Sequence, residues 1–463
     1  MNQSGQPWRC YEDLFGFVES LKGASELIEI HEAVDPRFEV AAVLGALGEQ
    51  GGPAALFTNV IGFPEKMIVG NIFGNRTRVA KALGVSEKEL TQTYIERKQQ
   101  HVSPVSVKTA AVKEVAFRRN HVDLFGQVPA LVHHERDASP YLTCAVTFSK
   151  DPETGRQSMG LHRIQVQSNR TLGICLETPP LARFLQKALT MKKPLEVAVI
   201  IGPDPAVLIA SVIWCPEGDD KIEIAGGLRQ KPVEMVRCET VELQVPAHAQ
   251  YLIEGIIQPE ALNHEGLFGD SSGIYVEAES PVIDVTSVCH RKRPLYQALQ
   301  TWSSEDDALF NLCFGSDLLG AMQKSFPFVR DFHLITGTVC GHAVMSVAEC
   351  PKPLLRSAMV ALLIHNPFVK RVVFVNEDID IRNPREVEWA LATRFQPDQD
   401  LLLIPEVYGS VIDPSASPDR GTCKMGMDAT FPKERVAAFQ KIDIPKESRK
   451  RAAEILRKIG NYD

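Results

Sequence analysis

Hydrophobic and polar positions follow three successive rhythms along this 463-residue chain. In the first, segments with helical periodicity such as Phe38 to Glu49 alternate with short apolar runs such as Leu27 to Ile30. The glycines and proline of Gly51-Gly52-Pro53 supply a stop signal for the helix that precedes them. This alternation predicts an N-terminal α/β domain over residues 1–113.

Strand-like runs dominate the second part, residues 114–299. One predicted helix, roughly Pro180 to Met191, interrupts them. Many strands with few helices favour a β-barrel or another closed sheet. The predicted strands are Leu142 to Ser149, Gly160 to Gln167, Leu195 to Ile201, Val207 to Val212, Glu239 to Val245 and Val282 to Cys289.

Helix and strand signals alternate again after Trp302, which predicts a C-terminal α/β domain over residues 300–442. The apolar β-branched run Val372 to Val375 is typical of a buried parallel strand. Residues 443–463 form a tail in which Pro445 to Ile459 predicts a basic amphipathic helix. The other predicted elements are the helices Glu305 to Ser316, Leu354 to His365 and Arg385 to Phe395, a strand pair from Thr338 to Ala348 broken at Gly341, and the strand Leu401 to Ile404.

Composition indicates a soluble globular protein, with 44% hydrophobic and 23% charged residues. Acidic residues outnumber basic ones by 58 to 50, and the net charge of −8 argues against a nucleic-acid surface. The ten cysteines form no C-x-x-C pair, which favours buried free thiols in a reducing compartment. No apolar run reaches the length of a membrane span and the first residues show no apolar signal core, so we expect a cytoplasmic protein without membrane contact.

The candidate chemistry lies in the hexapeptide from Glu265 to Asp270 and in Arg163. An Arg with two carboxylates can hold a substrate carboxylate and move a proton, although acids at this spacing belong most often to surface loops. Strand alternation places Arg163 on the same face as Met159 and Leu161, where a guanidinium needs an acidic partner. Glu265 or Asp270 would serve as that partner.

These motifs resemble the UbiD family of reversible decarboxylases, which includes the ferulic acid decarboxylases. In that family an Arg on a β-strand and the loop pattern E-G-P-[FY]-G-[DE] form the catalytic set, and here only the Pro differs, replaced by Leu267. The resemblance implies that Asp270 donates the proton to the product carbon and that Glu265 pairs with Arg163. It also implies a central split β-barrel of the flavin-binding type. Further matching blocks follow in the family's order, namely Gly70 to Arg76, Asp151 to Gly155, Val375 to Asp380 and Lys424 to Thr430.

The resemblance also implies a cofactor, prenylated FMN, whose modified ring serves as an electron sink while carbon dioxide leaves. It places Met159, Gly160 and Leu161 at this cofactor, and Lys424, expected in a loop, at the flavin phosphate. A flavin prenyltransferase would supply the cofactor. The family's terminal helix tends to pack on a partner subunit, which implies a homodimer or homohexamer, whereas a solvated end helix is the alternative for this tail.

The family's metal-ligand positions are altered in this chain. The family usually holds a divalent metal such as Mn²⁺, together with K⁺, through an Asn, a His and a Glu, and the corresponding positions here are Ser158, Leu181 and Lys221. Leu has no donor atom and a Lys ammonium has no lone pair, so this trio predicts no metal site of that type. Either the Lys221 ammonium replaces the cation at the flavin phosphate, or flavin phosphate is no longer bound. A modified metal site would use the nearby acids Asp219, Asp220 and Glu223.

The expected function is reversible, non-oxidative decarboxylation of an aromatic, heteroaromatic or α,β-unsaturated carboxylic acid. The alternative is a cofactor-free subunit of a hetero-oligomeric carboxylase, of the phenylphosphate carboxylase type. The altered metal positions favour that alternative, and the intact Arg163, Glu265, Asp270 and Lys424 oppose it. A second polar cluster, His133-His134 with Glu135 and Asp137, is interpreted as structural because no further His has ligand spacing.

Overall fold

The computed structural model describes residues 11–215, 218–410, 412–431, 442 and 444–459. Cys10 and residues 443 and 460–463 of the predicted tail lie outside the described residues. None of the helices within the described ranges is long and apolar enough to cross a membrane.

The N-terminal part is an α/β unit, as its alternating pattern predicts. Its sheet has the order β1-β2-β3-β18, with β1 parallel to β2 and β3 parallel to the late strand β18. The strands are β1 Leu27–Ile30, β2 Ala54–Phe57, β3 Met67–Gly70 and β18 Leu295–Gln297, and the helices are α1 Leu14–Gly23, α2 Glu39–Glu49, α3 Arg76–Ala82 and α4 Leu90–Lys98.

The central part is built on one large sheet. Its strands follow the order β6-β9-β10-β17-β14-β11-β7-β8, with β5 paired to β17. Because the end strands β6 and β8 do not pair with each other in the described chain, the sheet is open, and the split barrel stays unconfirmed. The strands are β5 Val115–Arg118, β6 Tyr141–Leu142, β7 Ala145–Lys150, β8 Gln157–Leu161, β9 Ile164–Val166, β10 Thr171–Ile174, β11 Leu195–Ile201, β14 Tyr251–His264 and β17 Glu279–His290.

Smaller elements surround this sheet. A three-stranded sheet has the order β13-β12-β4, and β15 pairs with β16. The strands are β4 Val105–Ser106, β12 Glu234–Arg237, β13 Gln244–Pro246, β15 Phe268–Gly269 and β16 Tyr275–Val276, and the helices are α5 Leu124–Gln127, α6 Leu181–Met191, α7 Pro205–Val212 and α8 Lys221–Arg229.

Two strand predictions for this central part are wrong, and the helix α8 was not predicted. The run Val207 to Val212 is not a strand but belongs to the helix α7. Asp204 caps this helix by accepting hydrogen bonds from two backbone N–H groups. Because α7 is buried, it is apolar on every side and its sequence shows no helical period. The helix α8 escapes the sequence pattern because it contains Gly226-Gly227, where the backbone of Gln100 approaches too closely for a side chain. Of the predicted strand Glu239 to Val245, only the end belongs to β13.

The C-terminal part is a second α/β unit, in agreement with its pattern. Its sheet has the order β19-β20-β21-β23-β22, in which β20, β21 and β23 run parallel. The predicted break inside Thr338 to Ala348 is instead a turn between β19 and β20. The elements are α9 Ser304–Phe310, a π-helical turn Asn311–Gly315, α10 Ser316–Ser325, β19 Val329–Leu334, β20 His342–Val347, α11 Lys352–His365, β21 Arg371–Asn376, α12 Pro384–Arg394, α13 Pro397–Asp400, β22 Leu401–Val407, β23 Thr422–Ala429 and the tail helix α14 Lys446–Ile459.

Candidate active site

Arg163 holds both predicted carboxylates at the edge of the central sheet. Its Nε donates to Oε1 of Glu265 at 2.9 Å and its Nη2 to Oε2 at 3.2 Å, while Nη1 donates to Oδ1 of Asp270 at 3.3 Å. The side chain of Glu265 is fully buried, whereas those of Arg163 and Asp270 are each 16% exposed. The three residues that the sequence pattern selected therefore form one cluster, in which Asp270 is the acid that a small molecule can reach.

The loop that carries the two acids depends on its first glycine. Gly266 has a φ of +74°, and a Cβ there would lie 2.6 Å from the Cβ of Ala138. The next residue, Leu267, accepts a hydrogen bond from the backbone N–H of Ala138 at 2.8 Å through its carbonyl oxygen. Pro would offer the same carbonyl, so replacing the family's Pro by Leu keeps this contact.

The guanidinium of Arg163 packs against an aromatic ring. Phe268 is buried with its ring centroid 5.2 Å from Cζ of Arg163, a cation–π contact, and it packs 4.4 Å from the ring of Tyr141. Burial by itself would lower the pKa of Arg163, but the hydrogen bond to Glu265 and the surrounding negative charges raise it above its ordinary value. Arg163 is therefore a permanent cation at this edge.

Polar contacts that the sequence pattern did not identify fix Glu265 more tightly than Asp270. Ser280 donates from Oγ to Oε2 of Glu265 at 2.9 Å, and the Gln165 side-chain amide donates to its backbone carbonyl. The Ser280 hydroxyl and the Arg163 fork therefore occupy the Glu265 carboxylate, and Gln165 fixes its backbone. Oδ2 of Asp270 accepts a hydrogen bond from the backbone N–H of Ser272 at 3.1 Å.

The His133-His134 segment clamps the same loop. Asp137 accepts hydrogen bonds from the backbone N–H groups of His133, His134 and Gly269, at 3.0, 2.9 and 2.8 Å. A Cβ on Gly269 would lie 2.2 Å from Nδ1 of His134, so this imidazole packs directly on the loop backbone. The structural interpretation of this cluster agrees with these contacts, which position Asp270 through its neighbour.

A third carboxylate, Asp306, lies close to Asp270 and was not selected from the sequence. Burial raises the pKa of Asp306 to about 7, a hydrogen bond from Ser271 opposes the rise, and the charges of Asp307 and Asp270 add to it. Asp306 belongs to the acidic first turn of α9, where acidic residues are common. The sequence pattern therefore does not distinguish it as a site residue.

A cavity of about 370 Å³ lies beside β8 and the start of α8. It has the size of a small-molecule or cofactor site. Its wall combines apolar side chains with four cations and two acids: Asp151, Thr154, Arg156, Gln157, Ser158, Pro179, Pro180, Arg183, Phe184, Lys187, Trp214, Cys215, Gly218, Asp219 and Lys221.

Lys221 is the most buried cation of this cavity. It is 3% exposed, and its Nζ donates to the carbonyl oxygen of Ser211 at 3.0 Å. Within the described part of the chain no carboxylate lies at ion-pair distance from it. Burial lowers the pKa of Lys221 to about 8.

The residues at the family's metal positions do not fit a metal ion. Ser158 and Lys221 both line the cavity, but the side chain of Leu181 is fully buried in the hydrophobic core. Among the acids that could have rescued the site, Asp220 caps α8 through Ile222 and Glu223 accepts a hydrogen bond from Ser103. Among the described residues, no group of three or more His, Cys, Asp or Glu is placed to hold a metal ion.

Lys424 is not placed as the sequence predicted. It lies on β23 rather than in a loop, is 1% exposed, and its Nζ donates to the carbonyl oxygens of Leu363 and Asn366 at 2.8 and 2.5 Å. These carbonyls belong to the C-terminal end of α11, which lacks intrahelical donors for them. A phosphate contact for Lys424 stays a prediction that these hydrogen bonds do not support.

The remaining predicted cofactor residues lie on β8. Met159 is fully buried in the core, Leu161 is half-buried, and Gly160 leaves room for the ring of His162, whose Nε2 would lie 2.5 Å from a Cβ. β8 connects the cavity at Ser158 with the Arg163 cluster beyond its other end. Their contact with a cofactor remains a prediction.

Family models cover most of the chain. The N-terminal, Rift-related and C-terminal domain models of 3-octaprenyl-4-hydroxybenzoate carboxy-lyase, named UbiD, match residues 18–98, 103–303 and 315–429. The anhydromevalonate phosphate decarboxylase of Methanothermobacter thermautotrophicus is 31% identical over 423 residues, which cover 91% of this chain and 98% of that enzyme.

Solved structures show the same likeness. The UbiD-class enzyme HmfF from Pelotomaculum thermopropionicum, in complex with FMN, superposes with a TM-score of 0.89 at 36% identity, covering 94% of this chain and 98% of HmfF. An evolved dimeric form of HmfF in complex with prFMN gives 0.87 at 34%, covering 95% and 98%. The vanillic acid decarboxylase ShVdcCD of Sedimentibacter hydroxybenzoicus, in its open form, gives 0.84 at 27%, covering 97% and 100%.

Proposed function

Because the chain belongs to the UbiD family of decarboxylases, we propose that it removes carbon dioxide, reversibly and without net oxidation, from an aromatic, heteroaromatic or α,β-unsaturated carboxylic acid with prenylated FMN. The observation that carries the proposal is the joint hold of Arg163 on Glu265 and Asp270. A buried guanidinium needs one acid for neutrality. The second, partly exposed acid is then available for proton transfer.

The roles of the three residues follow from their exposure and contacts. Arg163 is a permanent cation at the edge of the central sheet, and it orients the substrate carboxylate before the reaction. Decarboxylation breaks the bond between the carboxyl carbon and its neighbour, and a proton takes the vacated position on that neighbour. Asp270 in its protonated form gives this proton and recovers one from Asp306 or solvent, while the enclosed Glu265 holds the guanidinium in place.

The flavin supplies the electron sink for the charge that carbon dioxide leaves behind. FMN and prFMN accompany HmfF in its two structures. In this chain the 370 Å³ cavity at Ser158 and Lys221 would hold such a group, and β8 leads from it to Arg163. Met159, Gly160 and Leu161 would hold the cofactor along that strand.

Aromatic side chains beside Asp270 support a planar, conjugated substrate. His134 meets the ring of Tyr275 edge-on at a centroid distance of 6.4 Å, and Trp302 packs within 3.1 Å of the position a Cβ would take on Gly273. Flat rings stack favourably on such faces. The substrates named for the relatives share only the carboxylic acid, so we propose the class and no single compound.

Activity that depends on the modified flavin tests this proposal. The chain would be purified after expression with and without a flavin prenyltransferase, then assayed for carbon dioxide release from a panel of cinnamic, furoic and hydroxybenzoic acids. We expect turnover of at least one acid only in the co-expressed protein, together with a flavin absorption band. A colourless protein that is inactive towards the whole panel would contradict the proposal.

A second candidate function is that of one subunit in a hetero-oligomeric decarboxylase. It is favoured by the loss of the metal donors at Leu181 and Lys221, and by the likeness to ShVdcCD, which has more than one component. Native mass spectrometry distinguishes the two. The first proposal predicts a homo-oligomer, a homodimer or homohexamer, that is active alone, and the second predicts activity only after a different chain is added.

A further inference from the structure

Among the described residues, Lys221 is a buried cation with no acidic partner at ion-pair distance. Its ammonium is enclosed at the first turn of α8, and the carbonyl oxygen of Ser211 is the acceptor at 3.0 Å. A neutral carbonyl satisfies one of three N–H groups and does not neutralise the charge. An unpaired charge in such a place is unfavourable, which is the reason that burial depresses its pKa.

The other cations of the cavity are not in this situation. Lys187 forms ion pairs with Asp151 at 2.7 Å and with Glu153 at 2.9 Å. Its charge is therefore already neutralised at one side of the cavity. Lys221 lines a cavity that a ligand can fill, and an anion there would remove the electrostatic penalty of its charge.

A divalent metal cannot do this work at the same place. A metal would require lone-pair donors from Ser158, Leu181 and Lys221, of which Leu181 is turned into the core and Lys221 is itself a cation that repels metal ions. Where the family has a Glu ligand, this chain has a Lys. The substitution removes one negative charge and adds one positive charge.

From this disagreement we propose that Lys221 is a built-in cation that binds the phosphate of the flavin directly, so that this chain holds its cofactor without a divalent metal. The inference rests on the proposed function, since it assumes that the ligand is a flavin. Arg156, whose guanidinium reaches the same cavity, provides a second positive charge.

The position of this phosphate site agrees with the position of the catalytic cluster. Ser158 lines the cavity, and Arg163 follows five residues later along an extended chain, a span of at most about 17 Å. A flavin carries its phosphate at one end of a ribityl chain and its ring at the other. Phosphate at Lys221 therefore allows the ring to lie towards Arg163.

Flavin binding in the strict absence of metal tests the inference. The full-length protein would be treated with EDTA, and its affinities for FMN and for riboflavin, which lacks the phosphate, would be measured by fluorescence titration with and without added Mn²⁺. We expect FMN binding that is unchanged by EDTA or Mn²⁺. For Lys221→Met we expect at least a 10-fold loss of FMN affinity, with riboflavin affinity changed less than 3-fold. Lys193→Met, which removes an exposed charge nearby, is the matched control and should alter neither affinity.

The pH dependence of the wild-type protein keeps the inference testable even if the variant does not fold. Phosphate needs the protonated ammonium, so FMN affinity should fall as the pH rises above about 8, while riboflavin affinity stays flat. Three groups that act on Lys221 have pKa values displaced away from this range: burial raises the pKa of Cys215 and of Cys313, the latter to about 12, and lowers that of His162 to about 4.

Three outcomes would overturn the inference, and they separate it from the proposed function. FMN binding that requires Mn²⁺ would show that a metal is used, with the flavin function intact. Equal losses of FMN and riboflavin affinity in Lys221→Met would show that Lys221 does not act on the phosphate. If the wild-type protein binds neither FMN nor riboflavin, the flavin-dependent function and the inference both fail.

Discussion

At the scale of single residues, the candidate site separates two acids by their surroundings. Glu265 is enclosed by the Arg163 fork and Ser280, whereas Asp270 shares one oxygen with Arg163 and is partly exposed. Under the proposed function, one acid balances charge and the other exchanges protons. Burial raises the pKa of the nearby Asp306 to about 7, so Asp306 would supply protons that the hexapeptide alone does not contain.

Asp306 should therefore shape the pH profile of the reaction. As the pH rises through about 7, Asp306 loses its proton and can no longer reprotonate Asp270, so the rate should fall. In Asp306→Asn this inflection should be absent, with a lower rate at pH 6, as initial rates between pH 5.5 and 8.5 would show. Glu277→Gln, at an exposed acid outside the cluster, should keep the wild-type profile. An unchanged inflection in Asp306→Asn would refute the relay.

The buried charge of Lys221 should lower the stability of the flavin-free protein, although it would serve the binding of phosphate. Its pKa is about 8 in the folded chain against 10.5 when unfolded, so the folded state binds the proton less well and stability rises as the pH increases from about 8 to 10.5. At pH 7 the full penalty is present, and Lys221→Met should stabilise the flavin-free protein by about 1–3 kcal/mol. Chemical denaturation at pH 7 and pH 10 measures this. A variant that is less stable at pH 7 would show that the Ser211 contact outweighs the burial of charge.

At the scale of elements, the loop from β14 to β16 is held by backbone contacts that only certain residues permit. Gly266 adopts a positive φ, and Gly269 lies against His134. Asp137 accepts hydrogen bonds from three backbone N–H groups. The hexapeptide thus encodes a loop shape in addition to two acids. The sequence revealed the acids and left the clamp unexplained, because Asp137 is far away along the chain.

Replacing Asp137 should disturb catalysis through this loop. In Asp137→Asn an amide N–H₂ would face backbone N–H groups that need acceptors, with a cost of about 1–3 kcal/mol. We expect a turnover number reduced about 10-fold with an unchanged flavin content, because the loop positions Asp270 but does not border the Lys221 cavity. Steady-state kinetics and the flavin absorbance of the same preparation measure both. A lost flavin with normal turnover per bound flavin would contradict this assignment.

The contacts of Lys424 predict a structural effect in the C-terminal unit. Lys424→Met removes the donor for the carbonyls of Leu363 and Asn366 at the end of α11. Because two helix-end carbonyls lose their donor, against one at Lys221, we expect this loss to outweigh the relief of burying a charge and to lower stability by about 1–3 kcal/mol. FMN affinity should not change. Thermal unfolding and FMN titration distinguish this from the sequence-based expectation of a phosphate contact, which requires the affinity to fall.

At the scale of the whole molecule, the sequence predicted what is local and missed what depends on distant chain segments. The order of α/β, β-rich and α/β parts, and single elements such as β11 and α11, follow from periodicity and are present in the structure. The helix α7 was taken for a strand because complete burial removes its period. The open ends of the central sheet at β6 and β8, and the Lys424 contacts, arise from tertiary pairing that no short pattern contains. The candidate catalytic trio was selected because its motif resembles a family, and not because its spacing requires contact.

The comparison of Asp270→Asn and Arg163→Ala with the wild-type protein, all loaded with prenylated FMN, tests the central claim most directly. Carbon dioxide release would be measured with an acid that the wild-type protein turns over, beside the Glu277→Gln control. We predict that Asp270→Asn and Arg163→Ala lose at least about 100-fold in rate while retaining fold and flavin, because proton transfer and carboxylate binding are removed. Full activity in both variants would show that the chemistry does not take place at this cluster.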